Sequence, residues 1–296
     1  KALGAHVEEK ENTVHITTGP EGLHGARIFF DLVSVGATIN VLLAAVKAKG
    51  LTIMENVARE PEIVDLATFL NNMGAHIRGA GTNEIRIQGV DSLKSMNVHT
   101  IIPDRIEAGT YLSFAAANGN GVLVKNVITE HLDPFLSKLE EMGVRMEIDE
   151  DEIYVPGGDV LSPVNIKTSP FPGFATDLQQ PITPLLMQAR GSSTIIDTLY
   201  PERTKHIPEM QRMGAKISSK DGIITVGHST DLSGTVVEAG EIRAGVSLVG
   251  LALMAKGTTV INKADNILRG YDRIVEKFRG LSVDLEVINE SESLNH

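Results

Sequence analysis

Four stretches of the chain share one pattern, and that repeat limits the fold more than any other feature. They read "KALGAHVEEKENTVHI", "NNMGAHIRGAGTNEIRI", "EEMGVRMEIDEDEIYV" and "QRMGAKISSKDGIITV". Each runs from a helix end through a Gly, a short strand and a polar turn to a second strand of alternating apolar residues. Gly4, Gly74, Gly143 and Gly214 mark the same point in each copy, a period of roughly 70 residues. A fifth, weaker copy, "FRGLSVDLEV", carries Ser282 in place of the Gly. Upstream of each Gly the order also recurs: a strand, a polar loop, an apolar helix, a Gly-led strand such as "KGLTIMEN", "GVLVKNV", "GSSTIIDT" or "GTTVINK", then a second helix. The unit is therefore β-α-β-α-β-β. Common solenoid units run only about 20 to 50 residues, so this α/β repeat predicts closed globular domains, each made of several units.

Lys1 falls at the end of such a unit, so the chain is expected to be N-terminally truncated, with whole units over approximately 21–94, 95–160, 161–233 and 234–296. The segments "VGATINVLLAAVKA", "AGTYLSFAAAN", "LQQPITPLLMQA" and "RAGVSLVGLALMA" are apolar nearly all round, as helices enclosed by sheet should be. "EPEIVDLATFLNNM", "LDPFLSKLEEM" and "HIPEMQRM" instead carry one apolar stripe and a charged face, the signature of an outer helix.

Composition removes several classes of function. With 38 acidic and 27 basic residues the formal charge is −11, which argues against a broad nucleic-acid or anionic-membrane surface. The chain has no Cys, so disulfides, thiolate metal sites and a Cys nucleophile are excluded within it, and a reducing, cytoplasmic setting fits. The most apolar run, Ala244 to Ala255, is too short to span a bilayer. The nine His show no metal-ligand spacing, and His131 and His206 read as loop or capping residues, so neither a metal nor a cofactor is expected.

A repeat places equivalent loops at one end of a domain, where unusual polar residues converge. The loops entering the apolar helices read "DLVSVGAT", "IIPDRIEAGT", "FPGFATDLQQ" and "GEIRAGVS"; those entering the outer helices read "NVAREPEI", "ITEHLDPF", "LYPERTKHIP" and "NILRGYDRI". Arg105, Arg203, Arg243 and Arg269 fall in them, as do Asp104, Asp177, Glu60 and Glu62. Helix N-termini present free N–H groups and Arg adds a bidentate fork, a combination suited to a multiply anionic ligand. Acidic residues ahead of a helix are also ordinary caps, and loop Arg is also ordinarily solvated. "SVGAT" lacks a Walker lysine and is not a P-loop.

The motifs "LVSVGATINVLLAA", "AREPEIVDLATFLNNMGA", "IIPDRIEAGTY", "FPGFATDLQQP", "ERTKHIPEMQRMGA", "EIRAGVSLV" and "LRGYDRIVEKF" resemble those of the enolpyruvyl transferases, in particular the UDP-N-acetylglucosamine 1-carboxyvinyltransferases, over essentially the whole chain. The resemblance implies two inside-out α/β domains of three βαβαββ units each. Residues 1–101 would then form an incomplete domain and 102–296 a nearly complete one, with a segment on the order of 125 residues missing ahead of Lys1, nearly two periods of the repeat. It implies transfer of the enolpyruvyl group of phosphoenolpyruvate to the 3-hydroxyl of UDP-N-acetylglucosamine, with release of phosphate, in peptidoglycan precursor synthesis.

By the same resemblance Asp177 matches the carboxylate held against the sugar hydroxyl, with the role of general base. Arg243 and Arg269 match the guanidinium groups that hold phosphoenolpyruvate, and Arg203 a loop residue near that anionic site. Ser34, Val35 and Gly36 match the helix start that receives the diphosphate; Leu199 matches an aliphatic residue beside the uracil or sugar edge. Glu60 and Glu62 match carboxylates facing the cleft, and Arg105 with Asp104 matches the interdomain crossing, where the resemblance leaves open substrate binding and a structural ion pair. Leu32 departs from the family, some members having a basic residue there. The family's Lys-Asn motif and its mobile loop with the Cys or Asp proton donor find no counterpart in these residues, so the 296 residues alone are expected to be inactive. The competing assignments are a 3-phosphoshikimate enolpyruvyl transferase and a non-catalytic nucleotide-sugar sensor or scaffold; "AREPEIVD" and "ATDLQ" favour the nucleotide-sugar branch.

Overall fold

The computed structural model describes residues 1–95 and 98–288. The chain forms two compact units, one of Lys1–Pro103 with Pro170–Pro172, the other of Asp104–Ser169 with the chain from Gly173 onward.

In the first unit a hairpin, His6–Lys10 with Thr13–Thr17, precedes one complete copy of the repeat. That copy runs strand Arg27–Phe29, helix α1 (Val35–Ala45), strand Leu51–Glu55, helix α2 (Pro61–Asn72), then the hairpin strands His76–Arg78 and Glu84–Gln88. The first two strands are parallel, Arg27 opposite Ile53. The last strand returns antiparallel to the second, Leu51 opposite Gln88, and carries the third on its outer edge. Strand order is thus first, second, fourth, third.

The second unit opens with helix α3 (Arg105–Asn118), strand Val122–Lys125, helix α4 (Asp133–Met142) and the strands Glu147–Ile148 and Glu152–Val155. The next copy has strand Asn165–Lys167, helix α5 (Gln179–Leu186), strand Ser192–Ile196, helix α6 (His206–Arg212) and the hairpin Ile217–Lys220 with Ile223–Gly227. It repeats the first unit's strand order. The last copy has the parallel strands Val236–Glu238 and Val260–Asn262 joined by helix α7 (Ile242–Ala252), then the short helices α8 (Asp265–Leu268) and α9 (Ile274–Gly280).

The repeat holds in backbone geometry. Gly4, Gly74, Gly143 and Gly214 all take the left-handed conformation, with φ of +90°, +99°, +90° and +93°, the form that closes a helix C-terminus. Ser282 takes it too, at +62°, so the weak fifth copy keeps the helix ending without the Gly. One expected strand and one expected hairpin do not form among the described residues. The copy over 95–160 has no first strand: Pro103, just ahead of the α3 cap, has no N–H for a ladder. After Ser282 the residues up to 288 run without a hairpin.

Burial follows the number of copies available. In the second unit α5 packs against both α3 and α7, and all three are buried along most of their length. Strand residues such as Ile153, Ile166, Ile195, Ile224 and Val237 join the same core. Helix α4 presents the stripe Phe135, Leu136, Leu139 and Met142 to that core, as its amphipathic pattern predicts. Helix α1 departs from expectation, burying only Thr38, Leu42 and Ala45 while Leu43 is 46% exposed. One copy of the repeat provides α1 with its own sheet and α2 but no sister helices on its other sides.

Candidate active site

Within the second unit the loops that enter α5, α6 and α7 meet at one carboxylate. Asp177 lies in the single turn Thr176–Leu178 that runs into α5, Arg203 in the loop ahead of α6, and Arg243 in the first turn of α7. Arg203 donates from Nη1 to Asp177 Oδ1 at 2.5 Å, and Arg243 from Nη2 to Oδ2 at 3.4 Å. Their side chains are 36%, 24% and 18% exposed in the order Asp177, Arg203, Arg243, sheltered yet within reach of a ligand.

Both guanidinium groups are held from behind. Arg243 donates from Nη1 to the Tyr271 hydroxyl at 3.1 Å, and its charge lies 5.5 Å from the centre of the Tyr271 ring. Tyr271 is buried, its hydroxyl 3.0 Å from that of Thr110, and Thr110 in turn donates to the Ile106 carbonyl at 2.8 Å. The protons therefore have one consistent direction: Arg243 N–H to Tyr271, Tyr271 O–H to Thr110, Thr110 O–H to the first turn of α3. Burial raises the Tyr271 phenol above its ordinary pKa against the opposing charge of Arg243, so the hydroxyl keeps the proton this chain needs.

Arg203 also donates to Thr176 Oγ1 at 3.2 Å and lies over the Tyr200 ring, 4.4 Å from its centre. Behind it, buried Asp197 accepts from the hydroxyls of Thr168 and Thr176 at 2.8 and 2.6 Å, and from the backbone N–H of Leu199 and Tyr200 at 3.0 and 2.9 Å. One carboxylate at the end of strand Ser192–Ile196 thus fixes both the turn that carries Asp177 and the loop that leads to Arg203. Leu199 is half-buried within this loop, tied by its backbone to Asp197.

Burial alone would raise the Asp177 carboxyl. The charges of Arg243 and Arg203, with their hydrogen bonds, outweigh it and hold the carboxyl below the ordinary aspartate range. Asp177 is therefore an anion at neutral pH, and the cluster of one carboxylate and two guanidinium groups keeps a net positive charge.

The other residues singled out by the sequence are placed as follows. Arg269 caps the C-terminus of α8 and is exposed, its guanidinium without a side-chain partner among the described residues. Asp104 caps α3, its Oδ1 accepting from the N–H of Ile106 and Glu107 at 2.8 and 3.2 Å, and Arg105 follows, half-buried, as the first residue of that helix. In the first unit Ser34 caps α1, its Oγ accepting from Ala37 N–H at 3.2 Å, with Val35 and Gly36 opening the helix and Leu32 largely exposed nearby in sequence. Glu60 precedes α2 and is buried, and Glu62 is exposed in its first turn. An open groove of about 560 Å³ on this unit, lined by His76, Arg78, Arg86 and Gln88 among others, contains none of the residues singled out. Among the described residues no group of His, Asp or Glu could hold a metal ion, and no helix is long and apolar enough to cross a membrane.

The repeated βαβαββ architecture has known relatives. Residues 1–278 match the EPSP synthase (3-phosphoshikimate 1-carboxyvinyltransferase) family, and the chain belongs to that family of enolpyruvyl-transferring enzymes. Within it the chain is 61% identical over 292 residues to UDP-N-acetylglucosamine 1-carboxyvinyltransferase 2 of Lactiplantibacillus plantarum, spanning 99% of this chain and 68% of the relative. It is 57% identical to UDP-N-acetylglucosamine 1-carboxyvinyltransferase of Lactobacillus johnsonii, over 98% and 69% of the two chains. Among solved structures, the enolpyruvyl transferase NikO from Streptomyces tendae superimposes with a TM-score of 0.86 at 24% identity, covering 96% of this chain and 69% of that one. EPSP synthase from Acinetobacter baumannii gives 0.66 at 19% identity, over 94% and 68%. At such identities the two structures establish the fold alone.

Proposed function

We propose that the protein transfers the enolpyruvyl group of phosphoenolpyruvate to the 3-hydroxyl of UDP-N-acetylglucosamine, releasing phosphate, as the first committed step of peptidoglycan precursor synthesis in the cytoplasm. The observation that carries this reading is the Asp177 carboxylate gripped by Arg203 and Arg243, in a chain 61% identical to an enzyme named for that reaction.

Asp177 takes the proton of the sugar hydroxyl as its oxygen bonds to C2 of phosphoenolpyruvate, while the methylene carbon C3 gains a proton. The resulting tetrahedral ketal then loses a proton from C3 and expels phosphate from C2, which restores the double bond. Arg243 and Arg269 hold the carboxylate and phosphate of phosphoenolpyruvate, with Arg203 beside them. The guanidinium of Arg269 is exposed and has no side-chain partner among the described residues, so its donors can turn to that anion. For the second unit we assign Leu199 and Arg105 to substrate binding; for the first, taken by itself, we assign the opening N–H groups of α1 at Ser34, Val35 and Gly36 to a diphosphate, and Glu60 and Glu62 to substrate binding. Before substrate arrives, Asp177 occupies the very arginines the anion requires. Phosphoenolpyruvate draws those charges to itself, weakens their hold on Asp177 and makes the carboxylate a stronger base when it is needed.

Phosphate release from phosphoenolpyruvate by the full-length protein, with and without UDP-N-acetylglucosamine, tests the reaction. Release that requires the nucleotide sugar supports it. Release that requires shikimate 3-phosphate, or binding of the nucleotide sugar without turnover, overturns it.

Tyr271→Phe tests the support behind Arg243. The ring remains, but Arg243 Nη1 and the Thr110 hydroxyl both lose a partner in a buried setting, at a cost of about 1–3 kcal/mol. We expect kcat/KM for phosphoenolpyruvate to fall roughly 10- to 100-fold, since about 1.4 kcal/mol is tenfold. Steady-state kinetics indistinguishable from the unsubstituted protein would mean that Arg243 is oriented without this hydroxyl.

A further inference from the structure

The three loops that carry Asp177, Arg203 and Arg243 are joined beneath the site by one buried amide. Gln180 lies in the first turn of α5, three residues after Asp177, and is fully buried. Its Nε2 donates to Glu241 Oε1 at 2.9 Å and stands 3.2 Å from Nδ1 of His206. Glu241 caps α7 two residues before Arg243, and His206 begins α6 three residues after Arg203.

The orientation of this amide is set by its neighbours. A carboxylate only accepts hydrogen bonds, so the nitrogen of Gln180, not its oxygen, faces Glu241. The second N–H of the same nitrogen then points to His206 Nδ1, which must accept and so carries no proton. His206 is fully buried, and burial pushes its imidazole pKa down to about 3, which keeps the ring neutral with its proton on Nε2. Main-chain bonding leaves this turn dependent on the side chain. Pro184, four residues on, has no N–H to return to the Gln180 carbonyl, so the first turn of α5 lacks one of its helical bonds.

We propose that Gln180 is a positioning residue of the transfer site, holding Asp177, Arg203 and Arg243 in register through its paired hydrogen bonds to Glu241 and His206. The inference rests on the reaction proposed above for what those three residues do. Its geometric content, that the amide fixes their spacing, stands independently of the reaction.

The test uses the full-length protein, three substitutions and two readouts. Gln180→Met keeps the volume and removes both donors. We expect kcat, referred to folded protein, to fall about 10- to 100-fold, the scale of a misplacement near 1 Å. His206→Leu removes the acceptor and should lower kcat likewise, whereas His206→Asn, whose side-chain oxygen can take the place of Nδ1, should recover most of that loss. A merely structural role predicts equal losses for Leu and Asn, or loss of folded protein with unaltered kcat in what remains; either result overturns the proposal. A crystal structure of the Gln180→Met protein needs no turnover, and should show Arg243 Nη2 drawn away from its 3.4 Å contact with Asp177. An undisplaced cluster overturns the inference even if the unsubstituted enzyme is active; an inactive unsubstituted enzyme with a displaced cluster in the variant counts against the reaction only.

Discussion

Asp177→Asn in the full-length protein should lower kcat by about 10³, within the roughly 10²–10⁴ range of a positioned proton acceptor. The change keeps the shape of the side chain and replaces only its charge and its capacity to take a proton. It also removes the counter-charge from between Arg203 and Arg243, which lie at 2.5 and 3.4 Å from the two carboxylate oxygens. Phosphoenolpyruvate should therefore bind the variant at least as tightly as the parent while turnover collapses, a split that calorimetry and steady-state kinetics read separately. A kcat within tenfold of the parent would remove Asp177 as the base, and weaker anion binding would contradict the competition between Asp177 and substrate for the two arginines. The same carboxylate links stability to pH. Because its folded pKa lies below the unfolded value of about 3.9, its contribution to stability is complete above that value and is lost as pH falls through the lower folded one. The asparagine variant lacks this contribution, so its stability deficit relative to the parent should shrink in that acid window, as denaturant titrations across it would record.

The repeat was legible because a helix ending of this type needs a left-handed residue, and a Gly every 70 residues or so advertises it; Ser282 shows the backbone demand persisting where the residue type changed. Asp177, Arg203 and Arg243 were legible because equivalent loops of a repeat lie at one end of a unit. Their supports were not, since each acts through buried contacts between distant segments: Thr110 and Tyr271 are 161 positions apart, Gln180 and Glu241 61. One faint signal existed. Where Asn56, Asn126 and Lys263 follow the second strand in left-handed conformation, the copy over 161–233 has Asp197-Thr198 instead, and there the carboxylate and hydroxyl take over the turn's hydrogen bonds. The half-open α1 was misjudged for a different reason. Apolarity all round a helix states how much it can bury, while the number of sister helices decides how much it does.

Arg243→Lys keeps the charge, and so asks whether charge alone is enough. The guanidinium of Arg243 spends Nη1 on the Tyr271 hydroxyl and Nη2 on Asp177, with its central carbon 5.5 Å from the centre of the Tyr271 ring, so one group meets a hydroxyl, a carboxylate and a ring at once. A lysine ammonium has three donors on a flexible stem but no planar fork, so it cannot reproduce the spacing at which the guanidinium meets the hydroxyl and the carboxylate. Two consequences separate it from a simple loss of attraction. The Tyr271 hydroxyl loses its donor inside a buried pocket, and under the proposed reaction the charge set against the departing phosphate is displaced. We expect kcat/KM to fall by about 10²–10³, as when a preorganised donor is removed from a transition state, with kcat carrying most of the loss and KM for phosphoenolpyruvate rising only several-fold. Should the loss appear in KM alone, Arg243 acts as an anchor for the ground state and the stabilisation of the leaving phosphate belongs elsewhere. Should lysine restore full kcat, the fixed geometry through Tyr271 and Thr110 has no part in catalysis.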